Sequence, residues 1–137
     1  MSHQHVTLLL GSNLGDRKKN IETALNKIEN KIGHILKKSV VLETTPVEFA
    51  SSNNFCNIAV LLITQFSPQK ILKIVKEIEV EMGRVADSKA VGGYTDRIID
   101  IDIVLFNGLK FESANLKIPH QKHLFERSFS IKLIKCL

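Results

Sequence analysis

An apolar run from Ile98 to Phe106 is interrupted at Asp100 and Asp102, and this run narrows the fold more than any other stretch. A β-strand alternates its faces with a period of two, so the two aspartates point the same way, about 7 Å apart along the strand. Ile101, Ile103 and Leu105 then line the opposite face, as a sheet packed on a core requires. Like charges on one strand face repel each other and are costly to desolvate. A divalent cation compensates both, and Arg97 just upstream adds a fixed positive charge. A hard ion such as Mg²⁺, held by one or two carboxylates together with substrate phosphates, fits these donors. A strand end reaching into water, with both carboxylates merely solvated, is the other reading of so short a motif.

The order of elements narrows the fold further. Val6 to Leu10 reads as a short strand, stopped by Gly11-Ser12-Asn13-Leu14-Gly15-Asp16. Ile21, Leu25, Ile28 and Ile32 then recur three or four apart, the spacing of one helix face. Asp16 is placed to cap that helix and Gly33 to close it. A second strand is expected over Ile35 to Thr44, strongest at Val40, Val41 and Leu42, and a third over Phe55 to Ile63, after a polar loop. Ser67-Pro68 starts a second helix, a cap residue followed by proline, with Ile71, Val75, Ile78 and Met82 as its buried stripe and Gly83 at its end.

Arg84 to Arg97 reads as a long loop of the kind that often forms a lid, and it leads into the aspartate-bearing strand. A small hairpin over Lys110 to Ile118 and a turn at Pro119-His120 follow. Ser128 to Leu137 fits strand or helix equally. Strand-helix-strand repeated predicts the α+β class: a ferredoxin-like βαββαβ sandwich with a mostly antiparallel sheet and helices on one face.

At 137 residues the chain suits a single domain, 1–137, whose core needs no disulfide support. No apolar window approaches the roughly 18 residues of a membrane span. The opening Met1-Ser2-His3-Gln4-His5 lacks the regions of a signal peptide. Cys56 and Cys136 match no metal or redox spacing. A cytoplasmic, monomeric protein with reduced thiols is the expectation. The formal charge of +5 suits an anionic small molecule. Trp is absent, one Tyr is present and no basic stretch is interleaved with aromatics, so a nucleic-acid partner is not expected.

Several residues suit chemistry. Arg84 and Arg97 bracket the long loop, and arginine offers a rigid fork of donors to phosphate oxygens. Two arginines converging on a carboxylate-bound Mg²⁺ would suit phosphoryl transfer, which rests on positioning and charge stabilisation. Both arginines on the surface is the alternative. Asn57 interrupts an apolar strand, where its amide either meets water or pairs with a heterocycle, and Phe55 shares its face. Phe55 also suits a plain core position. Glu79 lies beside the second helix's apolar stripe, where a solvated position is one reading. His120 either binds a phosphate or orders the turn after Pro119. His3, His5, His34 and His123 show no metal-ligand spacing with one another, so zinc is not expected. Gly11 to Gly15 lacks the spacing of either common phosphate loop and reads as a tight strand-to-helix turn.

Gly11-Ser12-Asn13-Leu14-Gly15-Asp16, Thr45-Pro46-Val47, Phe55-Cys56-Asn57, Glu79 with Gly83-Arg84, Arg97-Ile98-Ile99-Asp100-Ile101-Asp102 and Pro119-His120 lie in an order and spacing that is highly specific. Together they closely resemble the 6-hydroxymethyl-7,8-dihydropterin pyrophosphokinase family of folate biosynthesis, over essentially the whole chain. The resemblance implies a ferredoxin-like fold and transfer of the terminal diphosphate of ATP to the pterin hydroxymethyl group, with release of AMP. It implies two Mg²⁺ ions on Asp100 and Asp102, bridging the ATP phosphates. It gives Asn57, Thr44 and Val47 to the pterin, with Phe55 and Phe129 sandwiching the ring. Glu79 and His120 fall where the family contacts ATP, at the nucleoside and at phosphate respectively. Arg84 and Arg97 fall where loop arginines stabilise the transferred group.

The chain departs from the family's pattern in places. Ala86 stands where a second arginine is common, with Lys89 nearby, and Tyr94-Thr95-Asp96-Arg97 replaces Trp-Gly-Pro-Arg. The loop and the segment between His120 and Phe129 are also longer. Two other readings use the same residues: a non-catalytic ferredoxin-like ligand-binding domain, and another Mg²⁺-dependent phosphotransferase or nucleotidyltransferase. The first leaves the aspartate pair without a purpose. The second changes what Asn57 and Phe55 recognise.

Overall fold

The computed structural model describes residues 3–44, 54–83, 98–123 and 127–137. In chain order the elements are β1 (Gln4–Ser12), α1 (Arg17–Lys31), β2 (Gly33–Lys38), β3 (Leu42–Thr44), β4 (Phe55–Thr64), α2 (Pro68–Glu81), β5 (Asp100–Phe106), β6 (Phe111–Glu112), β7 (Lys117–Ile118) and α3 (Ser128–Lys135). The main sheet runs β2-β4-β1-β5, with β3 also paired to β4, and the described pairings are antiparallel. Counting β2 and β3 as one interrupted edge strand gives the expected ferredoxin-like arrangement.

Local chemistry sets both long helices. Asp16 caps α1, its carboxylate accepting from Lys19 N at 3.2 Å, and Ser67 caps α2 ahead of Pro68. Ile21, Ala24 and Ile28 of α1 and Ile71, Val75 and Ile78 of α2 pack on Leu8, Leu10, Ile58, Val60, Ile101 and Ile103 from one sheet face. Glu81 ties the helices together by accepting from Lys27 and Lys31. Gly83 has φ +114 just past the end of α2, the left-handed backbone expected there.

The second sheet face carries a smaller core of Leu9, Ala59, Val104 and Leu133, with Phe129, Ile134 and Leu137 packed against it. α3 covers this face, so the helices lie on both sides of the sheet rather than one. The undecided C-terminal stretch is a helix because Leu133 and Ile134 find apolar partners on a sheet face that α1 and α2 leave uncovered.

Four further expectations change. β1 continues through Gly11 and Ser12, which pair with Asn57 and Cys56 instead of turning. Gly33 opens β2 rather than closing α1, and a side chain there would run into the Ile63 carbonyl. The second strand breaks between Lys38 and Leu42, leaving Val40 69% exposed. Such a break blunts a sheet edge against pairing with other chains. Lastly, Thr7 pairs with Leu105 while Leu8 pairs with Ile103, so Val104 is an extra residue in β5. This bulge turns Leu105 toward the α3 side and places Phe106 among the α1 and α2 contacts. No helix of the described residues is long and apolar enough to cross a membrane. Cys56 is buried, Cys136 is exposed, and both are free thiols.

Candidate active site

Pairing register sets the site across three strands. Gly11 of β1 lies opposite Asn57 of β4 on one side and opposite Asp100 of β5 on the other. Directly paired residues share a sheet face, so Asn57 and Asp100 face the same side, two inter-strand spacings or about 10 Å apart. Asp102 pairs with Leu9 one step along the same face, on the side that α3 covers. The like orientation of Asp100 and Asp102 is therefore set by a regular stretch of β5, upstream of the bulge.

Asn57 is buried, and its side-chain amide donates to Thr44 Oγ1 at 2.8 Å. A Cβ on Gly11 would lie 2.9 Å from Asn57 Oδ1 and 3.3 Å from Phe55 Cδ1. Glycine at position 11 thus makes the space in which Phe55 and Asn57 stand together. Arg17 secures the neighbouring chain ends, donating to Asn54 O at 2.7 Å and pairing with Glu43 at 3.4 Å.

Asp102 has a partner that sequence spacing did not reveal. His123 Nε2 lies 2.7 Å from Asp102 Oδ2, and Nδ1 of the same ring lies 2.7 Å from Ser130 Oγ in α3. His123 and Ser130 are buried, whereas 31% of the Asp102 side chain is exposed. Burial works against the charged carboxylate, but the hydrogen bond from His123 outweighs it, with the neighbouring His120 and Arg127 acting in the same direction. The Asp102 pKa is held at about 2. An ionised carboxylate only accepts, so Nε2 of His123 carries the shared proton.

His120 follows Pro119 and is fixed by its backbone N–H donating to Val104 O at 3.0 Å. Its ring lies 4.2 Å from that of His123, centroid to centroid. Burial keeps His120 below the ordinary histidine pKa, although Asp102 pulls the other way. Phe129 packs on the α3-side core with its ring edge-on to His123, centroids 6.4 Å apart.

Glu79 is buried, not solvated, with 1% exposure. It accepts from Ile101 N at 2.8 Å and pairs with Lys76 at 3.6 Å, fastening α2 to the start of β5. Lys76 also lines a groove of about 590 Å³ between α2 and the β6–β7 hairpin, together with Leu72, Lys73, Leu116 and Lys117. Arg84, Arg97 and Val47, with Lys89 and Tyr94 of the long loop, lie outside the described residues. The structure thus brings together Thr44, Phe55 and Asn57, and separately Asp102, His120 and Phe129, on one side of the sheet.

The fold and the site define a small ferredoxin-like domain that sets an amide and an aromatic ring on the same sheet face as two carboxylates, about two strand spacings away. The profile of 7,8-dihydro-6-hydroxymethylpterin-pyrophosphokinase (HPPK) matches residues 7–136. The chain belongs to this family.

The 2-amino-4-hydroxy-6-hydroxymethyldihydropteridine pyrophosphokinase of Porphyromonas gingivalis is 42% identical over 125 residues, covering 90% of this chain and 84% of that one. The Bacillus subtilis protein of the same name is 32% identical over 123 residues, covering 89% of this chain and 71% of its own. Among solved structures, wild-type Plasmodium falciparum HPPK-DHPS with pteroate superposes with a TM-score of 0.67 at 18% identity, over 98% of this chain and 34% of that one. The present chain therefore spans about a third of that longer protein, and the superposition speaks for the fold.

Proposed function

We propose that this chain transfers the β,γ-diphosphate of ATP to the hydroxymethyl group of 6-hydroxymethyl-7,8-dihydropterin, releasing AMP. It is a pyrophosphokinase of folate synthesis by its family. The observation that carries the finer reading is the row Asn57–Gly11–Asp100 across β4, β1 and β5. It sets a heterocycle-pairing amide about two strand spacings from a carboxylate pair, a span that suits a pterin reaching toward a polyphosphate.

In this reading Asn57 hydrogen-bonds the pterin, Thr44 and Val47 contribute to its binding, and Phe55 and Phe129 flank its ring. The Gly11 notch leaves room for the Phe55 and Asn57 side chains. Asp100 and Asp102 hold Mg²⁺. Their hard oxygens suit it, and the low pKa of Asp102 keeps that donor ionised at any physiological pH. When bound, the metal neutralises phosphate charge and orients the chain for in-line attack. The lysine-lined groove receives the nucleotide, with Glu79 acting from below by positioning β5. His120 contacts a phosphate, and Arg84 and Arg97 stabilise charge on the transferred group. The pterin supplies its own hydroxyl as nucleophile, so these residues need only bind, align and exclude water.

The reading has a single catalytic domain over residues 1–137, working as a cytoplasmic monomer on two small molecules. Its positive charge suits a polyphosphate substrate, with no nucleic acid or membrane as partner. The test is product identification by chromatography with ATP, Mg²⁺ and the reduced pterin. AMP formed only when both pterin and Mg²⁺ are present supports it. ADP as product, or turnover without pterin, rejects it.

A further inference from the structure

We propose that Asp102, His120 and His123 form a binding site for a borderline transition-metal ion such as Zn²⁺ or Co²⁺, sharing Asp102 with the Mg²⁺ pair. One donor atom from each of these side chains lies within 4.8 Å of the others. Two imidazole nitrogens and a carboxylate are the donor types that such ions select, whereas Mg²⁺ prefers oxygen alone. The three ligands leave a fourth tetrahedral position for water or a phosphate oxygen.

The surrounding residues orient the donors. His123 is buried, and Ser130 holds its Nδ1 so that Nε2 points at Asp102. A second partner on the remote nitrogen is what fixes a histidine ligand in place. The metal would replace the proton between Asp102 and His123. That proton moves to Nδ1 through solvent, and the Ser130 hydroxyl accepts from Nδ1–H as readily as it donates to the bare nitrogen. The same contact therefore serves both tautomers, with no net change in the charge of the ring.

The movement needed is small. Bonds of about 2.0–2.1 Å in a tetrahedron set neighbouring ligand atoms about 3.3 Å apart. The 2.7 Å separation of Asp102 and His123 must open, and the His120 nitrogen, within 4.8 Å of both, must settle at the same spacing. Turning the His120 ring gives up the long 3.3 Å hydrogen bond from His123 N and shifts the ring's contact with His123. Sequence spacing misses this site because its carboxylate comes from β5 and its imidazoles from the turn after β7.

Cobalt supplies a direct readout. The full chain, without nucleotide, is titrated with Co²⁺ and the visible absorption of four-coordinate Co²⁺ recorded. Saturation at one equivalent, bleached by added Zn²⁺, is expected. His123→Gln and His120→Gln should each weaken binding at least about tenfold, while Asp100→Asn keeps it. If His123→Gln fails to fold by circular dichroism, His120→Gln decides. A titration with no saturable absorption, or one unchanged in the variants, overturns the proposal. The optical signal does not depend on turnover. A chain that binds Co²⁺ but makes no AMP contradicts the pyrophosphokinase reading alone, and one that makes AMP but binds no Co²⁺ contradicts this site alone.

Discussion

His123 Nε2 donates to Asp102 Oδ2 across 2.7 Å, tying a β5 carboxylate to a buried ring anchored by Ser130 of α3. The bond fixes one oxygen of Asp102 and so limits how the carboxylate can turn. His123→Ala should raise the Mg²⁺ concentration needed for half-maximal activity more than it lowers kcat at saturating Mg²⁺. It should also cost about 1–3 kcal/mol of stability, the range for leaving a buried partner unpaired. Mg²⁺ activation curves and urea unfolding read the two effects separately. Partial recovery of the Mg²⁺ requirement in His123→Gln supports the positioning role, and an unchanged requirement in the alanine variant contradicts it.

Gly11 gives a second prediction. An added methyl group would meet Asn57 Oδ1 at 2.9 Å and Phe55 Cδ1 at 3.3 Å. Gly11→Ala should raise KM for the pterin about tenfold, while KM for ATP stays within about twofold, because the crowding falls on the amide and ring only. Overpacking of this kind costs about 1–3 kcal/mol. Steady-state kinetics with each substrate varied in turn distinguish this from general destabilisation, which would not single out the pterin.

Glu79 holds β5 from beneath. Glu79→Ala strips the Ile101 N–H of its acceptor and should destabilise the fold by about 1–3 kcal/mol. Activity should fall with it, because Ile101 lies between the two aspartates. Chemical denaturation of the variant checks the first effect and kcat the second.

Stability should decline on mild acidification for a reason local to the site. Burial holds the folded pKa of His120 below its ordinary 6.5. The unfolded chain therefore binds this proton first as pH falls, so the penalty is absent above about 6.5 and grows below it. Asp102 acts in another window. Its carboxyl is lowered from 3.8 to about 2, so its stabilisation is complete above 3.8 and is lost as pH drops through about 2. Tm should fall between about pH 7 and 5 in the wild type, and less steeply in His120→Asn.

The long helices were legible because their signals are local. Asp16, Ser67 and Pro68 cap within one turn, and the apolar spacing of Ile71, Val75 and Ile78 needs only the helix period. Period two placed Asp100 and Asp102 on one face correctly, since the Val104 bulge lies downstream of them. The same bulge misplaced Leu105, because register is decided by the partner strand and not by the run itself. Val40 and Val41 have strand-like side chains, yet the edge breaks there and leaves them exposed. The role of His123 is not legible in the sequence because its partner Asp102 lies 21 residues away, and only the fold brings them together. The solvated reading of Glu79 fails because helical spacing alone does not reveal which flank of α2 lies beneath β5.

The central claim is that Asp100 and Asp102 hold Mg²⁺ beside a pterin, so that a diphosphate moves intact from ATP to carbon-bound oxygen. Phosphorus NMR of a reaction containing ATP, Mg²⁺ and 6-hydroxymethyl-7,8-dihydropterin tests it directly, run on the wild type and on Asp102→Asn. The account predicts paired resonances of a pterin-bound diphosphate growing with AMP in the wild type, slowed about 100-fold or more in the variant. Free pyrophosphate or ADP in place of the pterin ester, or equal rates in the two proteins, would contradict it.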